Sequence, residues 1–331
     1  MTTFCQSPNV AQTIEKLVLH EQEMNARLDV EDEQDQEYAK TGLQALELED
    51  GGGEVLRLLD ADGLLLSRNV DPNILDKFQN FEAREDDVLL ATYPKSGTHW
   101  VWEIVSMLKK SSPTLMSETI MPLDFLPANM LGALPSPRVL STHMPFLRIP
   151  RDFLARDCKI VWVVRNPWDV AVSYYHFVKK LTVFEYSGDW NGFFELFLDG
   201  NIPYNSWFEH TQEWLKGMDT TSNILLVRYE DLHADFKKEV QRLADFLNVE
   251  VTDDTLDIIQ QETSFANMSL KKVDITVPIS KDGNSCVYRK GECGDWRNYF
   301  SEQQWAELKG AYRVSLNHHQ RTLQYTSEKI N

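Results

Sequence analysis

Cysteine is scarce in this chain, and its spacing matches no known framework. The 331 residues include only four, with no Cys-x2-Cys pair: Cys5, Cys158, Cys286 and Cys293. This spacing argues against a disulfide scaffold and against a cysteine-based zinc site. We therefore expect free thiols in a reducing compartment.

Long apolar runs are also missing. No stretch approaches the roughly 20 apolar residues that a membrane-spanning helix needs. Residues 1–8 have neither the basic cluster nor the apolar core of a secretory signal. We therefore expect a cytoplasmic protein without a membrane partner.

Positive charge is in short supply. The chain has 51 acidic and 33 basic residues, for a net charge of −18, which argues against a nucleic-acid-binding surface. Residues 15–54 carry 13 acidic and 3 basic residues, so much of the excess lies there. A local nest of cations and N–H groups can still hold an anion in one cleft, so an anionic cofactor is compatible with this composition.

This acidic segment divides the chain in two. We expect residues 1–66 to form an acidic N-terminal extension that is partly disordered or helical. An apolar stripe over residues 14–28 has helical spacing, residues 30–38 are acidic, and Gly51-Gly52-Gly53 interrupts the segment. A docking arm or a regulatory lid over a basic cleft is the alternative. Residues 67–331 have the composition of one globular domain.

Apolar runs alternate with amphipathic stretches in the second part. Strands are predicted at 88–92, 139–142, 159–165 and 224–228, and helices near 98–110, 167–180, 206–218 and 235–247. Such alternation is typical of α/β proteins. We predict a single domain with a central parallel sheet flanked by helices on both faces.

The loop after the first strand is the most informative segment. Residues 93–100 read Tyr-Pro-Lys-Ser-Gly-Thr-His-Trp, so Lys95, Ser96, Gly97 and Thr98 lie between a strand and a helix. Such a loop directs N–H groups and a helix N-terminus towards one point, as sites for phosphate-like anions do. The order Gly-x4-Gly-Lys-Ser/Thr is absent, which argues against the alternative of a nucleotide kinase.

Other strand ends add polar groups at the same edge of the sheet, where α/β proteins bind ligands. His143 follows the second strand, and an imidazole titrating near neutrality suits a general base. We interpret Arg165 and Ser173 as residues that bind one phosphate together. The alternative is that Arg165 merely pairs with Asp169. Residues 289–291, Arg-Lys-Gly, form a second basic nest in a loop that can close over a ligand.

Several motifs occur together in this chain. They lie at residues 93–100, 142–143, 165–177, 229–231, 263–265, 289–291 and 294–296. In order and spacing they resemble the signatures of the cytosolic sulfotransferase family, over about residues 67–325. The resemblance implies an enzyme that moves the sulfonate of 3′-phosphoadenosine 5′-phosphosulfate (PAPS) to a hydroxyl or amine. Such an enzyme releases 3′-phosphoadenosine 5′-phosphate (PAP) and needs no metal.

The resemblance also implies roles for single residues. His143 and Lys95 would be catalytic, with the histidine taking the acceptor proton and the lysine neutralising the leaving phosphate. The donor would be held by the first loop, by aromatic rings around the adenine and by the second basic nest. The residues in these three groups are Lys95, Ser96, Gly97, Thr98, His99, Trp100, Arg165, Ser173, Tyr229, Thr263, Ser264, Phe265, Arg289, Lys290 and Gly291.

The segments that would line the acceptor pocket are apolar and mostly bulky. From them we predict Phe125, Phe146 and Phe177 as acceptor contacts. They suit a small aromatic or alicyclic molecule, and phenol, sterol and amine are the alternatives.

Three departures from the family pattern bear on activity and assembly. Ser141 stands where the family often has lysine, and His99 where it usually has threonine or serine. They favour, as an alternative, a weak or inactive PAPS/PAP-binding relative that acts as a sensor or scaffold. The family's dimer motif is altered, so we expect a monomer or a dimer through another surface. Its positions here are Arg297, Ser301, Glu302 and Ala306.

Overall fold

The computed structural model describes residues 38, 40–116, 120, 122–272, 276–316 and 323. The helical stripe predicted over residues 14–28 and most of the acidic run over 30–38 lie outside these residues. Within them, Cys158, Cys286 and Cys293 are free thiols, as predicted. None of the helices in this part of the chain is long and apolar enough to cross a membrane.

An antiparallel sheet of three strands begins the described chain. Its strands are β1 (Gln44–Glu49), β2 (Val55–Ala61) and β3 (Leu64–Ser67), in that order across the sheet. The expectation of helix or disorder is therefore wrong for residues 44–66. Leu46 and Leu48 alternate with acidic side chains, which is a strand pattern, and the three glycines belong to the hairpin turn between β1 and β2.

This first sheet packs on the rest of the protein. Leu56, Leu58 and Leu66 are fully buried in the same hydrophobic core as one face of the second sheet. The backbone N–H of Tyr204 donates to the carbonyl of Leu65 at 2.6 Å, which ties β3 to a later segment. The boundary expected after residue 66 thus falls inside β3.

The second sheet is parallel. It consists of β4 (Val88–Thr92), β5 (Val139–Thr142), β6 (Lys159–Val164) and β7 (Ile224–Arg228), in the order β5-β4-β6-β7. The four predicted strands are confirmed, with β6 one residue shorter than expected. Successive side chains of a strand point to opposite faces, so Leu89 packs in one core and Leu90 in the other.

Helices cover both faces of the parallel sheet. In the described chain they are α1 (Pro72–Phe78), α2 (Thr98–Lys109), α3 (Ala128–Gly132), α4 (Arg151–Ala155), α5 (Pro167–Lys180), α6 (Trp190–Asp199), α7 (Trp207–Met218), α8 (Tyr229–Ala234), α9 (Phe236–Phe246), α10 (Asp253–Glu262), α11 (Phe265–Lys271) and α12 (Glu302–Ser315). Short 3-10 turns lie at Phe146–Arg148, Thr182–Phe184, Val277–Ile279 and Asp295–Asn298.

The helices pack in two hydrophobic cores, one on each face of the parallel sheet. Buried side chains of α2, α9 and α10 pack with Leu90, while those of α5, α6 and α7 pack with Leu89. The helices predicted near residues 98–110, 167–180, 206–218 and 235–247 correspond to α2, α5, α7 and α9. The predicted α/β fold, a parallel sheet between helical layers, is confirmed.

Candidate functional site

A cavity of about 480 Å³ lies at the carboxyl ends of the parallel strands. It brings together nearly all the residues singled out in the sequence. Those that line it are Lys95, Gly97, Thr98, His99, Trp100, Phe125, His143, Arg165, Ser173, Phe177, Tyr229, Thr263, Ser264, Phe265, Arg289, Lys290 and Gly291. Ser96 is buried behind this lining and Phe146 lies elsewhere.

Phe146 packs on a helix instead of the cavity. Its ring lies 5.4 Å from that of Trp214, and a Cβ added to Gly217 would approach the same ring to 2.6 Å. Both partners belong to α7. The structure therefore does not bring Phe146 to the acceptor contacts predicted for it, although Phe125 and Phe177 do line the cavity.

The loop between β4 and α2 makes a sharp turn. Lys95 and Gly97 have φ angles of 68° and 99°, in the left-handed region. A Cβ on Gly97 would lie 2.6 Å from the ring of Tyr229, so only glycine allows that ring to pack on the loop. The hydroxyl of Ser96 is buried and has no hydrogen-bond partner among the described residues. An orphaned hydroxyl below a helix N-terminus fits an anion-binding loop.

The side chain of Lys95 reaches across the cavity. Its ammonium lies 4.0 Å from the ring centre of Phe177 and donates to the carbonyl of Cys286 at 3.2 Å. The cation is thus held beside a predicted acceptor contact, at a distance typical of a cation–π interaction.

The contacts of His143 favour one tautomer. Nδ1 lies 2.9 Å from the carbonyl oxygen of Thr92, which can only accept, so we assign the proton to Nδ1. The neutral ring therefore has its lone pair on Nε2. Burial lowers the pKa of His143, the carboxylate of Asp124 raises it, and Lys95 lowers it further. The net shift of the pKa is downward, which favours the neutral imidazole near pH 7.

The same residue, Thr92, links His143 to the loop between β4 and α2. The hydroxyl of Thr92 lies 3.0 Å from Nδ1 of His143 and 2.8 Å from the hydroxyl of Thr98. Thr92 ends β4 and Thr98 begins α2. The imidazole of His143 and the N-terminus of α2 are therefore joined by one chain of hydrogen bonds.

A buried carboxylate, Asp124, supports the histidine from the other side. It accepts hydrogen bonds from the hydroxyl of Thr142, from the backbone N–H of His143 at 2.8 Å and from the hydroxyl of Tyr204 at 3.1 Å. Burial raises the pKa of Asp124, against the lowering effects of His143 and these donors. Asp124 was not predicted as a site residue, although an acid inside the apolar stretch 120–127 is a signal for it.

Arg165 contacts both the loop between β4 and α2 and the loop that contains residues 289–292. Its guanidinium donates to the carbonyls of Lys95 at 3.3 Å and Glu292 at 2.7 Å, and it lies 4.3 Å from the ring centre of Tyr229. Its contact with Asp169 is longer, 3.9 Å. Nε of Arg165 is buried without a partner among the described residues. The guanidinium therefore does more than pair with Asp169.

Asp169 itself braces the second basic loop. Its carboxylate accepts the N–H of Gly294 at 2.7 Å and of Trp296 at 3.1 Å. Asp169 is fixed in turn at the start of α5, where Asn166 accepts its backbone N–H at 2.8 Å. The loop is thus held against the first turn of α5.

A second buried acid, Asp295, positions the cations of this loop. It pairs with Arg289 at 2.6 Å and with Lys290 at 2.5 Å. Burial raises the pKa of Asp295, but hydrogen bonds led by that of Lys290 outweigh burial and lower it to about 2. Asp295 was not predicted as a site residue.

Gly291, in the same loop, has a φ of 68°, and a Cβ there would lie 2.3 Å from the ring of Phe265.

Aromatic rings form one wall of the cavity. Trp100 and Tyr229 meet edge to face at 5.4 Å, and the ring of His99 lies 6.3 Å from that of Tyr288. The hydroxyls of Thr263 and Ser264 are engaged at the junction of α10 and α11, where they donate to the carbonyls of Ile259 and Gln261. These two residues therefore line the cavity with their hydroxyl protons already committed.

The turn between β4 and α2, the cations Arg289 and Lys290 and the imidazole of His143 share one cavity at the strand ends, an arrangement that suits an α/β enzyme acting on an anionic ligand. Residues 85–324 match the sulfotransferase domain family. The chain belongs to this family, and the cytosolic sulfotransferase resemblance is confirmed. In the part of the chain that the structure describes, no three His, Cys, Asp or Glu side chains are grouped as metal ligands.

Individual relatives agree with this assignment. Sulfotransferase 1C2 of Oryctolagus cuniculus is 34% identical over 284 residues, which cover 80% of this chain and 95% of that protein. Sulfotransferase 1B1 of Canis lupus familiaris is 36% identical over 273 residues, covering 77% and 91%. The crystal structure of mouse sulfotransferase SULT7A1 complexed with PAP has a TM-score of 0.70 at 30% identity, covering 79% of this chain and 95% of that one. The roles of single residues remain predictions.

Proposed function

We propose that this protein transfers the sulfonate of PAPS to a hydroxyl, or an amine, of a small aromatic or alicyclic acceptor. The observation that carries the proposal is that His143, with Nδ1 2.9 Å from the carbonyl oxygen of Thr92, lines the same cavity as Lys95, Arg165, Arg289 and Lys290. The solved structure of a 30% identical mouse sulfotransferase with PAP supports the choice of donor.

The residues present fit such a donor. Three buried polar atoms, Ser96 Oγ, Arg165 Nε and Arg289 Nε, have no partner among the described residues, and each belongs to a group suited to an anionic oxygen. Residues 95–99 would hold the 5′-phosphosulfate through their N–H groups, hydroxyls and lysine. The 3′-phosphate would lie at Arg165, Ser173 and residues 289–291. The adenine would lie among Trp100, Tyr229 and Phe265, beside Thr263 and Ser264.

The chemistry assigned to this chain is proton transfer and charge neutralisation. Nε2 of His143 takes the proton of the acceptor hydroxyl as its oxygen becomes the nucleophile. The ammonium of Lys95 offsets the negative charge that develops on the departing phosphate. PAPS supplies the sulfonate, which moves in line to the acceptor oxygen as the sulfur–phosphate-oxygen bond breaks and PAP is left.

The acceptor lies, in this proposal, against apolar side chains. Phe125 and Phe177 line the cavity together with Leu181 and Phe184. Such walls suit aromatic or alicyclic groups.

We also propose a cytoplasmic location, and a monomer or a dimer that avoids residues 297–306, where Ser301 caps α12.

A second candidate is a relative that binds PAP without efficient transfer. Ser141 favours it, because this buried residue lines the cavity where the family often has lysine. One positive charge near the reacting groups is therefore replaced by a hydroxyl. Sulfonate transfer by a protein that binds PAP distinguishes the two functions.

The donor site is tested by thermal unfolding with and without PAP, in buffer containing EDTA. PAP at about 100 times its Kd should raise the free energy of unfolding by roughly 2.7 kcal/mol, a shift of several degrees. Arg165→Ala should abolish the shift. Arg151→Ala is the matched control, because Arg151 is exposed and does not line the cavity. No shift with the unmodified protein at millimolar PAP would contradict the proposed donor.

A further inference from the structure

The N-terminal sheet contributes polar side chains to the cavity. Ser67, the last residue of β3, and Asn69, two residues later, both line it together with His143. The family match begins at residue 85, so both residues lie outside the part of the chain that defines the family. Neither was predicted as a site residue.

A hydrogen bond orients the amide of Asn69. The hydroxyl of Ser67, whose side chain belongs to a residue 7% exposed, donates to Oδ1 of Asn69. Nδ2 is then the end of the amide left for other partners, with two N–H donors. No hydrogen bond joins Nδ2 to another residue in the described chain, and Asn69 is half-buried.

The anchoring of β3 shows which part of the cavity these residues reach. Leu65 accepts the N–H of Tyr204 at 2.6 Å, and its own N–H donates to Oδ1 of Asn205 at 2.6 Å. The ring of Tyr204 in turn lies 5.3 Å from that of His143. Leu65, two residues before Ser67, is therefore tied to the segment that carries Tyr204, and Tyr204 lines the cavity beside the histidine.

We propose that the acceptor carries a second oxygen, a carbonyl, ether or hydroxyl, that accepts a hydrogen bond from Nδ2 of Asn69 while its reacting group lies at His143. This inference rests on the proposed sulfonate transfer and narrows its substrate class. The cavity is also lined by the apolar side chains of Phe125 and Leu126, so we expect the body that joins the two oxygens to be hydrocarbon. A site built to donate to an oxygen discriminates against an analogue that lacks it.

Asn69→Asp tests the inference with an almost unchanged shape. The carboxylate keeps an oxygen for the Ser67 hydroxyl but has no N–H to donate. Two pairs of acceptors of different span are compared: 6-acetyl-2-naphthol with 6-ethyl-2-naphthol, and a 3-hydroxysteroid with and without a ketone on its far ring. The ratio of kcat/KM within each pair is measured for both proteins, so differences in intrinsic reactivity cancel.

We expect the unmodified protein to prefer the oxo member of at least one pair, and Asn69→Asp to reduce that preference about tenfold. Asn80→Asp, which makes the same charge change at an exposed residue outside the cavity, should keep it. An unchanged ratio in Asn69→Asp, or an equal loss for both members, would overturn the inference. Equilibrium binding of the same compounds to PAP-saturated protein gives the ratio without turnover. Absent transfer with a retained binding ratio would therefore reject the proposed reaction alone, and binding without discrimination would reject the role of Asn69.

Discussion

Replacing Asp124 with asparagine removes a buried charge while keeping the shape of the side chain. The carboxylate accepts hydrogen bonds from Thr142, His143 and Tyr204. An amide has one oxygen, so at least one of these donors loses its acceptor. A hydrogen bond to a charged group contributes about 1.5–3 kcal/mol. Because burial raises the pKa of Asp124, losing the charge recovers part of a desolvation cost. We therefore expect the free energy of unfolding to fall by an amount near the low end, about 1.5 kcal/mol.

The same substitution should change the pH dependence of catalysis. Burial and Lys95 lower the pKa of His143, and the Asp124 carboxylate raises it; the other titratable neighbours are Tyr204 and His210. Without the carboxylate the pKa of His143 falls. A general base works in its neutral form, so activity is lost as the pH drops through that pKa. The acid limb of kcat/KM should therefore move to lower pH in Asp124→Asn.

The assay is a profile of kcat/KM between about pH 5 and 8, the range in which histidine ordinarily titrates, combined with urea unfolding of the same proteins. Thr142→Val is the matched control, since it removes one hydrogen bond to the carboxylate and keeps the charge. It should lower stability and leave the acid limb in place. An acid limb that stays, or moves to higher pH, in Asp124→Asn would refute the electrostatic role of Asp124.

Three further predictions address the loop and the fold. Lys95→Ala should lower turnover at least ~10²-fold in steady-state assays, and near-normal turnover would count against its role. Gly97→Ala places a Cβ 2.6 Å from an aromatic ring at a φ of 99°, so PAP titration should show affinity lost at least ~10-fold, whereas Gly310→Ala, with nothing within 4 Å, should not affect it. Asp87→Asn leaves the buried guanidinium of Arg138 without its carboxylate partner. It should cost about 3–5 kcal/mol in urea unfolding, and a loss below about 1 kcal/mol would contradict this.

The parallel sheet could be predicted because its strands are buried on both faces and read as apolar runs, as in Val88–Thr92. The N-terminal sheet could not. Every second residue of Gln44–Glu49 is exposed and two of them, Glu47 and Glu49, are acidic, so charge concealed the alternation. This segment forms a sheet because it packs against a core made of residues far along the chain, and composition carries no information on that contact.

The site residues also include some that the sequence could predict and some that it could not. His143 and Arg165 directly follow strands and Lys95 lies three residues beyond one, so the fold class alone brings them to one edge of the sheet. Asp124 contacts His143, and Asn69 lines the cavity, through tertiary contacts between distant segments that no local pattern encodes. Phe146 shows the converse, because apolar character does not reveal which apolar surface a ring will cover.

Transfer of radiolabelled sulfonate from PAPS to a panel of phenols and alicyclic alcohols, in buffer containing EDTA, tests the central claim most directly. The unmodified protein should give labelled acceptor. His143→Ala should reduce the rate at least ~10²-fold while keeping the PAP-induced thermal shift, because the base is lost and the donor site is not. Transfer by His143→Ala at the unmodified rate, or PAP binding by the unmodified protein without transfer to any acceptor, would contradict the account.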